Sequence, residues 1–153
     1  MSMFSRVLVA VDGGELTERV MTYALGLSDH PDLHFICAVD PEHFFSDATE
    51  VVFDAVGEHA AAIESAQRLV DRCVASATKA GSSATGHVVK QSPAEAILDT
   101  AKLVGADLIV MATHGRNGLI RAVLGSVAET VARQADVGVL LVPSHLAAFA
   151  TSS

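Results

Sequence analysis

The chain has 153 residues and a mass of 15.9 kDa, which is the size of a single domain. Half of the residues are hydrophobic and only 18% are charged, so a disordered chain and a long solvated coiled coil are both excluded. The formal net charge of −8 at pH 7 would repel a polyanion, and we therefore expect no nucleic-acid partner.

The cysteines and the apolar runs indicate where the protein resides. Cys37 and Cys73 have the spacing of neither a disulfide framework nor a metal site, and we predict that both are reduced thiols in the core. The first apolar run, 7–11, is too short for a secretion signal, and no run approaches the roughly 18 apolar residues of a membrane span. These observations predict a cytoplasmic protein without membrane insertion.

The first half of the chain alternates short apolar runs with stretches of helical spacing. A strand is predicted over 6–11, and a turn-forming Asp-Gly-Gly tripeptide follows it. Apolar residues at helical spacing predict a helix over 17–28, and a second strand follows over 33–39. The stretch 40–57 is the least regular and is predicted as a long loop with some helix.

The second half begins with the longest predicted helix, 58–80, which Gly81 ends. After a strand over 84–89, the sequence Ser92-Pro93-Ala94-Glu95 predicts a capping box that opens a helix ending at Gly105. The remaining predicted elements are a strand over 107–111, a turn-rich loop from 112, a helix over 126–135 and a strand over 137–142.

Strands that alternate with helices of ten or more residues are typical of βαβ units with a parallel sheet. Because the strands are almost continuously apolar, both faces of the sheet should be covered. We therefore predict a single-domain α/β fold with a doubly wound parallel sheet and helices on both faces. Ligands bind beyond the carboxyl ends of the strands in such folds, so the loops after Val11, Val39 and Met111 form the candidate site. The chain contains no Walker P-loop and no G-x-S-x-G nucleophile elbow.

The segment 112–128 has a distinctive charge pattern. It contains no acidic residue but includes Arg116 and Arg121, so it is locally positive on a negative chain. It holds a Gly-Ser pair at the start of a helix, and a helix N-terminus offers free N–H groups to an anion. The segment is therefore either an anion-binding loop or an ordinary capped loop in which Ser126 is the N-cap. His114 would either contact a phosphate or hold the loop together.

The same segment carries a spacing that resembles a family motif. It reads Ala112-Thr113-His114-Gly115, nine residues and then Gly125-Ser126. The motif of the universal stress protein family reads Gly, two residues, Gly, nine residues and Gly followed by Ser or Thr. Agreement extends to residues 9–13, 106–111 and 139–143, so the resemblance covers nearly the whole chain.

The resemblance implies a Rossmann-like fold of the adenine nucleotide alpha hydrolase-like class, with a five-stranded parallel sheet in the order 3-2-1-4-5. It also implies a universal stress protein domain over 1–146, and residues 147–153 are predicted as a flexible tail. The last strand then lies at an edge, and an exposed apolar edge needs a cover. The resemblance suggests a homodimer in which two copies pair along the strand between Val137 and Val142. The alternative is that the chain from Ser144 onward shields this strand.

The motif marks family members that bind ATP, so the resemblance implies ATP or AMP as the ligand, with Mg²⁺ as a further candidate. Gly115, Gly125 and Ser126 would hold the phosphates. Asp12 would lie near the ribose and adenine, and it would reach Mg²⁺ through ATP. The other residues along the cleft would be the backbone of Val39 at the adenine edge, Met111, Ala112, His114, Arg116 and Val127.

The chain departs from the family pattern at Ala112, which stands where the motif has its first glycine. Its methyl group would crowd the nucleotide unless the backbone there is extended. Gln91 and Gly138 also differ from the pattern, and the scattered histidines His43, His59, His87 and His145 are predicted on the surface. We predict a nucleotide-binding regulatory module of the stress response without efficient turnover. The alternatives are an interaction module for an unidentified protein partner, without nucleotide, and a slow ATPase or phosphotransferase.

Overall fold

The computed structural model describes residues 3–27, 29–45, 54–114 and 124–144. Strands and helices alternate through these residues, as the sequence pattern predicts. In chain order the elements are β1 (Arg6–Ala10), α1 (Thr17–Leu25), β2 (Asp32–Ala38), α2 (Glu42–Phe45), α3 (Asp54–Lys79), β3 (Ala84–Val89), α4 (Pro93–Val104), β4 (Leu108–Ala112), α5 (Ser126–Gln134) and β5 (Gly138–Val142).

The five strands form one sheet in the order β3-β2-β1-β4-β5, and every neighbouring pair is parallel. This confirms the predicted α/β fold and its strand order. Strand β1 pairs with β2 on one side and with β4 on the other, so the winding direction reverses between β1 and β4. In a doubly wound sheet this reversal opens a crevice at the carboxyl ends of the two strands.

Alternate strand residues build two cores, one on each face of the sheet. On the first face Phe35 and its strand neighbours pack against residues such as Val20 of α1 and Val70 of α3. On the second face Ile36 and its neighbours pack with residues such as Ile97 of α4 and Val131 of α5. Both faces are therefore covered, which explains why the strand sequences are apolar at nearly every position.

Several predicted boundaries are wrong. Helix α1 ends at Leu25 rather than at residue 28, and its last turn is tightened by an i→i−3 bond from the N–H of Leu27 to the carbonyl of Ala24 at 3.4 Å. Helix α3 begins at Asp54, four residues before the predicted start. Ser92 is the N-cap of α4, but its side chain makes no capping bond, so the predicted capping box is absent. Its carbonyl starts the helix instead, accepting the N–H of Ala96 at 2.9 Å.

Cys37 and Cys73 are both buried thiols, which confirms the prediction that they lie in the core. Cys37 is 8% exposed and Cys73 is 4% exposed. Burial disfavours the thiolate, and it raises the pKa of Cys73 to about 11.

Alkylation of Cys73 should therefore be slow in the folded protein. At pH 8 a thiol with a pKa of about 11 has roughly 200-fold less thiolate than one near 8.5, the value for an unfolded chain. Iodoacetamide labelling followed by peptide mass spectrometry, with a urea-unfolded control, measures this ratio. Equal labelling rates in the two samples would contradict the prediction.

Candidate functional site

A cleft of about 480 Å³ lies over the carboxyl ends of β1 and β4, where the winding direction reverses. A volume of this size is typical of small-molecule sites. The cleft is walled by apolar side chains with a few polar groups among them. Its lining residues are Ala10, Val11, Asp12, Leu16, Thr17, Val20, Ile36, Ala38, Pro93, Ile97, Met111, Ala112, Thr113, His114, Gly125, Ser126, Val127 and Ala128.

Most of the predicted site residues meet in this cleft. The structure brings together Asp12, Met111, Ala112, His114, Gly125, Ser126 and Val127. Val39 is buried outside the lining, and its N–H donates to the carbonyl of Val89 at 2.8 Å. Gly115 and Arg116 lie outside the described residues.

Asp12 shapes the turn after β1 and also faces the cleft. Its Oδ1 accepts the N–H of Gly14 at 2.8 Å, and Thr17 Oγ1 accepts the N–H of Gly13 at 3.1 Å. Gly13 has a φ of 77°, a left-handed conformation that favours glycine. The Asp-Gly-Gly sequence therefore turns the chain sharply and leaves the Asp12 carboxylate beyond the carboxyl end of β1.

Gly125 is needed because two backbone segments meet there. Its N–H donates to the carbonyl of Thr113 at 2.8 Å. A Cβ at position 125 would lie 2.8 Å from that same oxygen, which is closer than side chains come. Its φ of −60° is ordinary, so the requirement is for space rather than for an unusual conformation. This contact joins the end of β4 to the start of α5.

The first turn of α5 faces the cleft. Gly125 is the N-cap and has no side chain to offer, so the interpretation of Ser126 as the N-cap is wrong. The N–H groups of Ser126, Val127 and Ala128 belong to the first helical turn, where no preceding turn supplies an acceptor. All three residues line the cleft, and Ser126 is exposed. The arrangement places the partial positive charge of a helix N-terminus at the cleft.

Ala112 fits its position without strain. It is the last residue of β4 and pairs in register with Val142 of β5, so its backbone is extended. The next residue continues this contact, because the N–H of Thr113 donates to the carbonyl of Val142 at 3.0 Å. An alanine is therefore compatible with the backbone at the place where the family motif has glycine.

His114 and several unpredicted residues complete the lining. His114 Nδ1 lies 3.1 Å from Thr113 Oγ1, a hydrogen bond between neighbours that holds the ring at the cleft. The sequence did not reveal the contribution of Pro93 and Ile97, because the placement of α4 over the sheet is a tertiary property. The place of Thr17 in the lining could have been predicted from the sequence, since this residue follows directly on the turn at the carboxyl end of β1.

The prediction that His87 is an isolated surface residue is wrong. His87 is partly buried, and its Nε2 lies 2.8 Å from Nδ1 of His34 on the neighbouring strand. The pair is far from the motif loop in sequence, and its contact depends on the register between β2 and β3. No periodicity or motif in the sequence signals such a contact.

Comparison with known proteins identifies the family. The model of the universal stress protein family matches residues 3–143, so the chain belongs to this family. A curated relative, universal stress protein MJ0531 of Methanocaldococcus jannaschii, is 28% identical over 143 residues. That match covers 92% of this chain and 83% of the relative.

Solved structures share the fold. A universal stress protein family member from Burkholderia pseudomallei is 30% identical, with a TM-score of 0.72 over 94% of this chain and 99% of that one. A universal stress protein in complex with cAMP is 22% identical, with a TM-score of 0.66 over 95% and 100% of the two chains. The Archaeoglobus fulgidus protein in complex with dAMP is 21% identical, with a TM-score of 0.60 over 92% and 98%. In the described part of the chain, no helix is both long and apolar enough to cross a bilayer.

Proposed function

We propose that the chain is an adenine-nucleotide-binding regulatory module of the stress response, without efficient turnover. The observation that carries this proposal is the first turn of α5, which presents N–H groups and the Ser126 hydroxyl to the cleft. A helix N-terminus of this kind is suited to a phosphate. The cAMP and dAMP complexes of two proteins with this fold support the adenine nucleotide as the ligand class.

The remaining lining suits the rest of a nucleotide. Apolar residues such as Val11, Ile36 and Met111 offer surface to an adenine ring, and the Asp12 carboxylate would accept from the ribose hydroxyls. The described lining contains no lysine or arginine, so its phosphate donors are neutral, and Arg116 from the motif loop would add positive charge.

Binding of Mg²⁺ to this cleft would depend mainly on the phosphates of ATP. Within the described residues, no group of three or more histidine, cysteine or acidic side chains could hold a metal ion. Asp12 is the carboxylate that lines the cleft in that part of the chain, and it also holds the turn at Gly14. Mg²⁺ commonly binds through one carboxylate together with phosphates and waters, which this cleft would allow.

Replacing Ser126 by alanine should weaken nucleotide binding by roughly 10- to 150-fold. A hydrogen bond to a charged phosphate contributes about 1.5–3 kcal/mol, and about 1.4 kcal/mol corresponds to a factor of ten. Because the Ser126 side chain is exposed and makes no capping bond, stability without ligand should change by less than about 0.5 kcal/mol. Ser126→Thr keeps the hydroxyl and is the matched control.

A thermal-shift series with ATP, AMP, cAMP and inorganic phosphate measures these differences. Native protein should gain about 2.7 kcal/mol of stability with nucleotide at a hundred times its dissociation constant. No shift with any nucleotide would overturn the proposal and favour the interaction module. A shift that Ser126→Ala leaves undiminished would place the phosphates elsewhere. Phosphate release well above that of the Ser126→Ala protein would favour the ATPase.

We further propose that the protein is a homodimer that pairs along β5. This strand is an edge of the sheet, and Val139, Leu140 and Leu141 are only partly buried within one chain. A second copy would cover both their apolar surface and the unpaired backbone groups of the edge. Light scattering at micromolar concentration should give a mass near twice 15.9 kDa. A monomer mass would refute the dimer and leave the tail as the cover.

A further inference from the structure

A chain of polar side chains crosses the sheet away from the cleft lining. His34 on β2 and His87 on β3 are joined by the 2.8 Å contact between Nδ1 and Nε2, and their rings are nearly parallel, with centroids 5.1 Å apart. The other nitrogen of His34, Nε2, lies 3.1 Å from Oδ2 of Asp32. The same oxygen lies 3.2 Å from Nε of Arg6. These four side chains therefore link β3 to β2 and then to β1.

The acceptor at one end fixes the direction of these hydrogen bonds. An ionised carboxylate only accepts, so Asp32 requires a proton on Nε2 of His34. A neutral His34 then has a lone pair on Nδ1, which accepts the N–H of His87 Nε2. A single hydrogen thus lies between the two rings, and the side-chain contact between His34 and His87 depends on it.

We propose that the His34–His87 hydrogen bond reinforces the pairing of edge strand β3 with β2, and that acid breaks this bond and loosens the strand. The first additional proton leaves one hydrogen between the rings, because one of the two facing nitrogens keeps its lone pair. When both rings are charged, both nitrogens carry hydrogen and the bond is lost. Two like charges then face each other on the sheet. This inference is independent of any nucleotide.

The surroundings favour the uncharged form of His87. Burial and the neighbouring His34 lower the pKa of His87 below its ordinary value of 6.5. The side chain of His34 is only 12% exposed. A base with a lowered pKa binds fewer protons in the folded state than in the unfolded chain. The contribution of His87 to the free energy of unfolding should therefore be fully present above pH 6.5 and decrease as the pH drops below that value.

Charged groups around the pair come from the elements packed on it. Arg6 is held by Asp32 and by the carbonyl of Val104, to which its Nη1 donates at 2.7 Å. Asp107 accepts the backbone N–H groups of Ser5 and Arg6. Helix α4, on the same face of the sheet, carries Glu95, Asp99 and Lys102.

Helix α3 covers the opposite face of β3. A Cβ on Gly86 would lie 3.0 Å from Cγ2 of Val70, so the helix packs closely on this strand through apolar groups. The described ionisable side chains of α3, separated from the pair by the sheet, are Glu58, His59, Glu64, Arg68, Asp71, Arg72, Cys73 and Lys79.

The acid-sensitive contact lies at one edge of the sheet. His87 pairs in register with Ile36, and β2 is the only strand bonded to β3 in the described sheet. Loss of the histidine contact should therefore loosen β3 before it affects β1 and β4, which are central. The loosening should also reach the wall of the cleft, because Ile36 lines it.

The test compares the native protein, His87→Gln and the control His43→Gln, which changes an exposed histidine at the start of α2. Urea unfolding between pH 7 and about pH 5 gives the pH dependence of stability. As the pH falls, the folding equilibrium constant should decrease more steeply in the native protein and the control than in His87→Gln. The difference should reach up to about tenfold per pH unit. Identical pH dependence in all three proteins would overturn the proposal.

Two measurements on the native protein complete the test without any variant. NMR titration of the imidazole protons should show one of the two rings titrating below pH 6.5. Hydrogen exchange, normalised to intrinsic rates, should show that acid reduces the protection of β3 amides more than that of β1 and β4. Equal loss of protection across the sheet, or independent titration of both rings near pH 6.5, would refute the proposed role of the His34–His87 hydrogen bond.

Discussion

Gly125→Ala should lower the free energy of unfolding by about 1–3 kcal/mol, the usual range when a group is forced into packed space. The new Cβ would lie 2.8 Å from the carbonyl oxygen of Thr113 and 3.3 Å from the Cα of His114. Both are backbone atoms, which cannot rotate away as a side chain can. The end of β4 and the start of α5 must therefore separate.

The same substitution should weaken nucleotide binding at least as much as Ser126→Ala. It displaces the whole first turn of α5, and with it the N–H groups as well as the hydroxyl that face the cleft. Urea unfolding and a nucleotide thermal-shift series measure the two effects. Gly138→Ala is the matched control, since its Cβ would meet Leu108 at an ordinary 3.6 Å. A Gly125→Ala protein with native stability and native affinity would contradict the proposed geometry.

Phe35→Ala should lower the free energy of unfolding by about 3–5 kcal/mol, the largest stability effect that we expect. Phe35 is fully buried at the middle of β2, between Val9 of β1 and Gly86 of β3. Removing its ring would leave a cavity that the flanking strands cannot close, because they are fixed by the hydrogen bonds of the sheet.

Urea unfolding at pH 7 measures this loss, and Leu103→Ala is its control. Leu103 lies on α4 and is 82% exposed, so its truncation should change stability by less than about 0.5 kcal/mol. Similar losses for the two variants would show that Phe35 is not part of the core. Near-UV circular dichroism checks that both proteins keep their native packing.

Sequence periodicity was sufficient for the fold class because strand and helix signals are local. The apolar runs near Val9 and Val110 and the helical spacing near Val70 required no knowledge of tertiary contacts. Strand order was different, since nothing in the residues themselves specifies which strands pair. It followed from the resemblance to the universal stress protein family, and the sheet confirms it.

The candidate site was predictable where it depends on strand ends. The rule that ligands bind at the carboxyl ends of parallel strands selected the loops after Val11 and Met111. The family resemblance then assigned Asp12 and Met111, and both line the cleft. The reason for Gly125 was not predictable, because Thr113 contacts it only in the folded chain. The His34–His87 contact was missed for the same reason, since it depends on register between strands.

The strand order has a consequence for synthesis. Strands β1, β2 and β3 all come from residues 6–89, whereas β4 and α5 come from residues 108–134. A ribosome therefore makes three neighbouring strands and helices α1 to α4 before it makes β4, the partner of β1 on the other side. A domain folds as a unit, and the crevice is completed only when the last third of the chain is available. A nascent chain that ends within α4 would have three of the five strands and would lack the part of the cleft that β4 and α5 supply.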